Sequence, residues 1–506
     1  MQSNRLTYDL LIIGGGINGV GIAADAAGRG LSTLLCEMND LGSATSSNSS
    51  KLIHGGLRYL EYGEFRLVRE ALAEREVLLR NAPHITRPLR FRLPHRPYLR
   101  PAWLIRLGLF LYDRLAARDT LPPFKTVTFG ENSPLKADIT QGFEYSDGWV
   151  DDARLVVLNA MAARDKGATI LTHTRCISAQ RQAHGWQVSL LDQQSGINHD
   201  VSAHALVNAA GPWVSSLFPE VMHSQPPKQI RMVKGSHIVV PRLYNSPEAY
   251  ILQNADRRIV FVIPYEEKFS LIGTTDVEYH GDPGAVKISP DERDYLISVT
   301  NQHFRHQLQS SDVVLDYAGV RPLLDDQSDS AQSVTRDYSF EVDASENQSP
   351  LLSVFGGKIT TYRKLAQAAM DKLAPFFPDI GPHWTANSPL PGGDFDSPTQ
   401  LQQTLNAHYP WLPPEITHRY VHSYGTRCHR FLKGVDNLDA MGTHFGHGLY
   451  SAEVDYLIDQ EWASSGEDIL WRRSKLGLHL SIKQRADLEH YLESHPTLTQ
   501  KRTGNA

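Results

Sequence analysis

"YDLLIIGGGINGVGIAADAAGRGLSTLLCEMND", residues 8–40, decides the fold of this 506-residue chain. Leu10–Ile13 is an uninterrupted apolar run, the pattern of a strand buried on both faces of a parallel sheet. Gly14, Gly16 and Gly19 follow in G-x-G-x-x-G spacing, with Ile17 and Asn18 between the last two. Ile22, Ala23, Ala26 and Ala27 then give a helix face of small residues, which Gly28 and Gly30 close. Leu31–Leu35 reads as a second strand, and it ends at Glu37, eighteen residues after Gly19. Each glycine has a separate task in such a turn. Gly14 permits the sharp reversal, Gly16 lets a pyrophosphate approach the backbone, and Gly19 lets the helix lie close to the strand. The helix N-terminus offers free N–H groups and positive dipole to the phosphates. An acidic residue at the second strand end accepts hydrogen bonds from ribose hydroxyls. The stretch therefore predicts an α/β, Rossmann-like dinucleotide-binding domain.

Outward from this motif, "LGSATSSNSSKLIHGGLRYL", residues 41–60, is polar and rich in Ser and Gly. A nicotinamide site continues directly into another βαβ unit, whereas this run reads as a loop wrapped along a cofactor, which points to a flavin. Ser46, Ser50, Lys51 and His54 are its candidate cofactor contacts. Gly55 and Gly56 are expected to let a flat isoalloxazine ring, or its substrate, lie against bare backbone. Two later stretches extend the same site. "AHALVNAAGPWV", 203–214, is a strand running to Gly211, suited to packing beneath the first glycine turn. "PLLSVFGGKITTYRKLAQAAMDKL", 350–373, is a strand, then Gly356, Gly357 and Lys358, then a helix with Thr360 and Thr361 in its first turn. That N-terminus would stabilise negative charge on a reduced flavin. The nucleotide domain is thus expected to be discontinuous over 1–385.

The Pro/Gly/Ser-rich 386–400 reads as a linker, and 401–506 as a helical domain. Net charge is −6, which speaks against general nucleic-acid binding. Three dispersed cysteines with no CxxC cluster suggest neither a metal site nor a disulfide framework, and fit a reducing, cytoplasmic setting. No covalent attachment signature is present, so the flavin should be held non-covalently. Residues 101–115, "PAWLIRLGLFLYDRL", form an amphipathic helix on which Trp103, Leu104, Leu107, Leu111 and Leu115 make one arc, opposite Arg106, Asp113 and Arg114. A core position for that arc is slightly favoured over a membrane-surface one. Arg472, Arg473 and Lys475 read as a solvated basic face, or as a contact to lipid or another subunit.

Candidate cations for an anionic substrate are Arg58, Arg321, Arg336 and Lys358, since a guanidinium fork suits phosphate. His237, just ahead of an apolar strand, is the candidate general base because imidazole titrates near neutrality. Asp276 reads as structural. Eight stretches together carry a resemblance: "IGGGINGVGIAADAAGRGL", "SSNSSKLIHGGLRYLE", "EYSDGWVDDARL", "KGSHIVVP", "IGTTDVEY", "GVRPL", "TRDY" and "FGGKITTYRKLA". In order and spacing, over residues 5–480, they resemble the FAD-dependent glycerol-3-phosphate dehydrogenases of the aerobic, respiratory type found in Gram-negative bacteria. The resemblance implies a mostly antiparallel-sheet substrate domain inserted at roughly 80–150 and 225–345, hydride transfer from glycerol 3-phosphate to FAD, and electron delivery to ubiquinone or menaquinone. It also implies peripheral attachment to the inner face of the cytoplasmic membrane, and it leaves room for a homodimer. It places substrate contacts on Arg58, Tyr59, His237, Arg321, Arg336 and Lys358; of these, His237, Arg321 and Lys358 are the candidates for catalytic roles. A peroxide-producing oxidase, or a flavoprotein without turnover, are the alternatives.

Overall fold

In the computed structural model, residues 7–117, 121–254, 256, 258–324, 337–344 and 348–502 are described, and of residues 58, 61 and 62 the backbone alone. The opening motif folds as strand β1 (Thr7–Ile13), helix α1 (Ile17–Gly28) and strand β2 (Thr33–Cys36). β1 sits at the middle of a parallel core. β2 and then Thr169–Leu171 lie on one side of it; Asn198–Asn208 and then Leu351–Phe355 lie on the other. An antiparallel strand, Ser339–Asp343, caps one edge, and the hairpin Thr174–Gln182/Gly185–Asp192 pairs onto Asn198–Asn208. The apolar runs are continuous because helices cover the sheet: α1, Asp152–Asp165 and Tyr362–Leu373 share one core with β1 and its neighbours. Gly21 allows α1 to approach the last of these helices, for a Cβ there would stand 2.8 Å from the Tyr362 ring.

The second sheet is antiparallel apart from one pairing, Ala249–Gln253 beside Thr86–Pro94. Its long partners are Ile230–Pro241 with Leu315–Leu324, and Thr86–Pro94 with Gln141–Val150. Leu52–Ile53, from the polar loop after β2, pairs onto Gln141–Val150, so that loop bridges the two sheets. The fold class expected from the sequence is the one observed. Residues 401–498 supply a third, helical core around Leu405, Tyr420, Tyr424, Val454, Leu457 and Leu488. The stretch leading to it is laid against the rest of the molecule: the Leu390 N–H donates to the Asn81 carbonyl, and Phe395 meets His84 edge-on.

Two surface readings are corrected. The apolar arc of helix Ala102–Tyr112 faces outward, with Trp103 67% exposed, Leu107 47% and Leu111 40%. Leu109 and Tyr112 are the residues that anchor it to the core. The basic cluster is not a solvated face either. Arg473 is fully buried, its guanidinium donating to Asp40 Oδ1 at 2.7 Å. Arg472 pairs with Asp40 and Asp468, and Lys475 Nζ lies 2.7 Å from Asp151. These cations bolt the helical domain to the nucleotide domain.

Candidate active site

The glycine turn is built as its spacing requires. Gly14 has φ +113°, and a Cβ there would stand 2.6 Å from the Ala209 carbonyl oxygen, because the end of Asn198–Asn208 passes beneath the turn. A Cβ on Gly19 would overlap the Gly14 carbonyl, so α1 seats directly on the turn. Around Gly16 there is room: its Cβ would meet only Ser46 Oγ, at 3.2 Å. Ser46 Oγ accepts the Ile17 N–H at 3.0 Å, at the head of α1. Glu37 Oε2 accepts the Gly15 N–H at 2.6 Å and Oε1 accepts the Asn39 N–H at 2.9 Å. Burial raises its pKa, against the pull of these backbone donors. The turn and the acidic strand end are therefore one hydrogen-bonded unit, and each carboxylate oxygen keeps a lone pair for ribose.

From the far end of the chain, Gly356 and Gly357 (φ +80° and +109°) complete the cradle. Asn18 Nδ2 donates to the Gly356 carbonyl at 3.1 Å, and a Cβ on Gly357 would press Asn18 and Leu365. Asn18 Oδ1 is buried with no hydrogen-bond partner, an acceptor that only a donor group such as a ligand hydroxyl can satisfy. The Thr360 hydroxyl accepts the His54 N–H at 3.2 Å, joining this end to the polar loop.

On the second sheet, register brings His237 opposite Tyr317 on one side and Gly273 on the other. Its imidazole stacks on Tyr317 at 4.8 Å and meets Ser50 Oγ through Nε2 at 2.9 Å. A side chain at 273 would take the imidazole's space. Burial, then the Lys51 and Arg321 charges, hold its pKa well below the usual imidazole range. The reason given for a basic His237, an unperturbed pKa, thus does not hold; the ring is neutral. Arg321 is held in place by Asp276 (2.6 Å), the Thr275 carbonyl (2.8 Å) and Thr274 Oγ1 (3.2 Å). This gives Asp276 its structural role. Lys358 Nζ lies 4.0 Å from the centroid of the Tyr59 ring.

One cavity of about 1520 Å³ joins these parts. Gly14, Gly16, Ile17, Asn18, Glu37, Ser46, Ser50, His54, Gly56, Tyr59, Gly211, His237, Arg321, Gly356, Gly357, Lys358 and Thr360 all line it. Arg336 and the Arg58 side chain lie outside the described residues. Lys51, Gly55, Gly19 and Thr361 do not line it. Lys51 is buried against Asp152 at 2.7 Å, and Thr361 donates its N–H to the Lys358 carbonyl. Gly55 and Gly56 are hemmed in by side chains, and Gly56 also lines the cavity. A Cβ on Gly55 would lie 2.6 Å from Leu72 and 2.7 Å from Tyr112 Oη, and one on Gly56 would overlap Tyr59. Tyr317 and Asp152 were given no role in the sequence: Tyr317 carries no motif, and nothing in "EYSDGWVDDARL" singles out Asp152. The N–H donors at the head of α1 and the open flank of Gly16 fit a dinucleotide diphosphate, and the cavity continues past it to His237 and Arg321.

A family profile described as FAD dependent oxidoreductase matches residues 9–363, and one for the C-terminal domain of alpha-glycerophosphate oxidase matches 383–491. The glycerol-3-phosphate dehydrogenase of Pseudomonas aeruginosa is 58% identical, with 97% of this chain and 96% of that protein covered. The aerobic glycerol-3-phosphate dehydrogenase of Escherichia coli is 54% identical over 98% and 99%. The D-erythritol 1-phosphate dehydrogenase of Brucella abortus is 50% identical over 96% and 98%. Among solved structures, the glycerol-3-phosphate dehydrogenase of Bacillus halodurans complexed with FAD aligns with a TM-score of 0.74 at 28% identity, covering 100% of this chain and 92% of that one. The chain belongs to the FAD-dependent oxidoreductase family, among its glycerol-3-phosphate dehydrogenases.

Proposed function

We propose that this enzyme oxidises sn-glycerol 3-phosphate to dihydroxyacetone phosphate and passes the electrons to a membrane quinone, ubiquinone or menaquinone, from the cytoplasmic face of the membrane. The observation that carries the reading is Arg321. Its guanidinium is oriented by Asp276 and Thr275 on the wall of the cavity that holds the glycine cradle. With Lys358 it supplies charge for a phosphate, and Arg58 and Arg336 are further candidates. FAD, held by the Gly14–Gly19 turn, Glu37 and the Gly356–Gly357 end, would supply the acceptor for the hydride of the carbinol carbon. His237, neutral and lining the same cavity, receives the hydroxyl proton. A phosphate dianion bound beside Arg321 offsets that cation and makes the imidazole a better base.

The membrane part rests on the helix Ala102–Tyr112. Trp103, Leu107, Phe110 and Leu111 are exposed on it, and the cavity's apolar arm, lined by Leu60, Phe65, Leu93, Leu104, Leu107 and Leu111, reaches the same helix. An apolar quinone delivered from lipid suits that arm. No described helix is long and apolar enough to cross a membrane.

Anaerobic titration of the flavin-loaded enzyme with glycerol 3-phosphate tests the reading. Bleaching of the oxidised flavin is expected, and its absence at millimolar substrate overturns the reading. D-erythritol 1-phosphate in a parallel titration decides between triol and tetritol phosphates. Reoxidation by a quinone analogue, against peroxide yield in air, separates dehydrogenase from oxidase. Arg321→Ala is expected to raise KM by roughly tenfold or more, with lysine rescuing in part.

A further inference from the structure

We propose that Asp152 is a positioning residue for the catalytic wall: it holds the 47–51 turn in the one geometry that presents Ser50 to His237. This rests on the reading above, in which His237 takes the substrate's hydroxyl proton. Asp152 opens helix Asp152–Asp165 and is fully buried. One carboxylate oxygen lies 2.7 Å from Lys51 Nζ; the other accepts the Ser49 hydroxyl at 2.7 Å and the Ser49 N–H at 3.2 Å. Lys51 Nζ also donates to the Ser47 carbonyl at 3.1 Å, closing the turn from inside. The turn ends with Lys51 at φ +58°, a left-handed conformation that a non-glycine residue holds only when its surroundings over-determine it. Asp152 supplies that constraint.

The consequence lies at the residue between these anchors. Ser50 Oγ stands 2.9 Å from His237 Nε2, while the other ring nitrogen is buried without a hydrogen-bond partner. The orientation and tautomer of the imidazole therefore depend on Ser50, and Ser50 depends on a turn pinned by Asp152. Tyr317 closes the arrangement from the second sheet: it stacks on His237 and donates its hydroxyl to the Ser49 carbonyl at 2.9 Å. The carboxylate touches neither the cavity nor the imidazole, so it acts through the turn. A hydrogen-bonded shell of this kind keeps a catalytic group within the narrow geometry that proton transfer needs.

The test compares Asp152→Asn, Ser50→Ala and the double variant as flavin-loaded enzymes. Reductive half-reaction rates and KM are read together with the ring ¹⁵N shifts of His237, assigned with His237→Asn. Asp152→Asn is expected to slow flavin reduction roughly 10- to 100-fold with KM little changed. The double variant should be no slower than the worse single one, because both changes act through one contact. The His237 ring shifts should move in Asp152→Asn as they do in Ser50→Ala. Additive rate losses, or His237 shifts that stay at their wild-type positions, overturn the proposal. A purely structural carboxylate would lower flavin content and unfolding temperature and leave Ser50→Ala its full further effect. Where Asp152→Asn does not load flavin, Ser49→Ala, which removes one of the carboxylate's partners and keeps the ion pair, carries the same comparison. If the wild type is not reduced by glycerol 3-phosphate, the functional reading fails by itself, and the ring shifts still judge the positioning.

Discussion

Two glycines three positions apart in the same turn, Gly16 and Gly19, differ in what their missing side chains make room for. At Gly19 the space is filled by the chain itself, since a Cβ would overlap the Gly14 carbonyl. At Gly16 the only neighbour is the Ser46 hydroxyl, which can rotate. Gly16→Val should therefore yield a folded protein that purifies without FAD. Gly19→Ala should fail to fold or lose several degrees of stability together with its flavin. The flavin-to-protein absorbance ratio and circular dichroism on the same preparations check this contrast. A Gly16→Val protein with a full complement of flavin would mean the phosphates lie elsewhere. At this scale the sequence was most readable where one residue type has one geometric use. Gly14, Gly16 and Gly19 stand as their spacing requires, and Gly356–Gly357 takes its reason from Asn18. His237 does line the cavity, but the reason for choosing it fails, because burial and two flanking cations are not visible in a linear string. Tyr317 was not found at all. Only the register of two strands some eighty residues apart brings it to the imidazole.

Helices obey periodicity, and periodicity is silent on which face a protein buries. The arc of Trp103, Leu107 and Leu111 is real, but the anchors are Leu109 and Tyr112, which lie off it. A helix apolar almost all round offers two candidate faces, and the neighbouring sheet decides between them. The exposed one is a large apolar patch of the kind that marks a docking surface. Replacing Trp103, Leu107 and Leu111 by Ser should leave flavin content and reduction by substrate intact and abolish co-sedimentation with anionic phospholipid vesicles. Leu109→Ala, by contrast, should cost roughly 2–4 kcal/mol of stability with vesicle binding retained. If the triple variant loses its flavin, the arc is part of the core after all.

Across the whole molecule, charge patterning misleads in the opposite sense. Arg472, Arg473 and Lys475 read as surface because their partners are far away in sequence; Arg472 and Asp40 are 432 residues apart. Asp40 lies just beyond Glu37, so the helical domain grips the loop that follows the acidic end of β2. Arg473→Ala leaves Asp40 buried and short of one partner, which should cost roughly 3 kcal/mol in urea unfolding and speed flavin release. A second junction lies at the hairpin between Ile259–Tyr265 and Phe269–Gly273. There burial, aided by the Asp151 charge and opposed by Lys475, raises the Glu266 carboxyl to about 7. Its folded pKa stands above the unfolded one, so the fold favours the protonated acid. The penalty is absent below the ordinary carboxylate range, grows as pH rises through it, and is complete above about 7. Glu266→Gln should therefore stabilise the enzyme by roughly 1–2 kcal/mol at pH 8 and by little at pH 4.5, read as thermal midpoints at both values. An equal shift at both pH values would assign the effect to packing.

The order of strands in the parallel sheet also sets a timetable. β1 must wait for Asn198–Asn208 on one side, and that strand waits for Leu351–Phe355. A ribosome adding 5–20 residues per second reaches residue 355 roughly 20–70 s after starting. Until then Asn18 has no Gly356 carbonyl to hold, and the growing chain carries an unpaired, apolar strand edge. Flavin capture is thus a late event in the making of this enzyme. The hazard of its biogenesis is concentrated in the interval when the cradle has its first half and not its last, which is when a chaperone would be needed most.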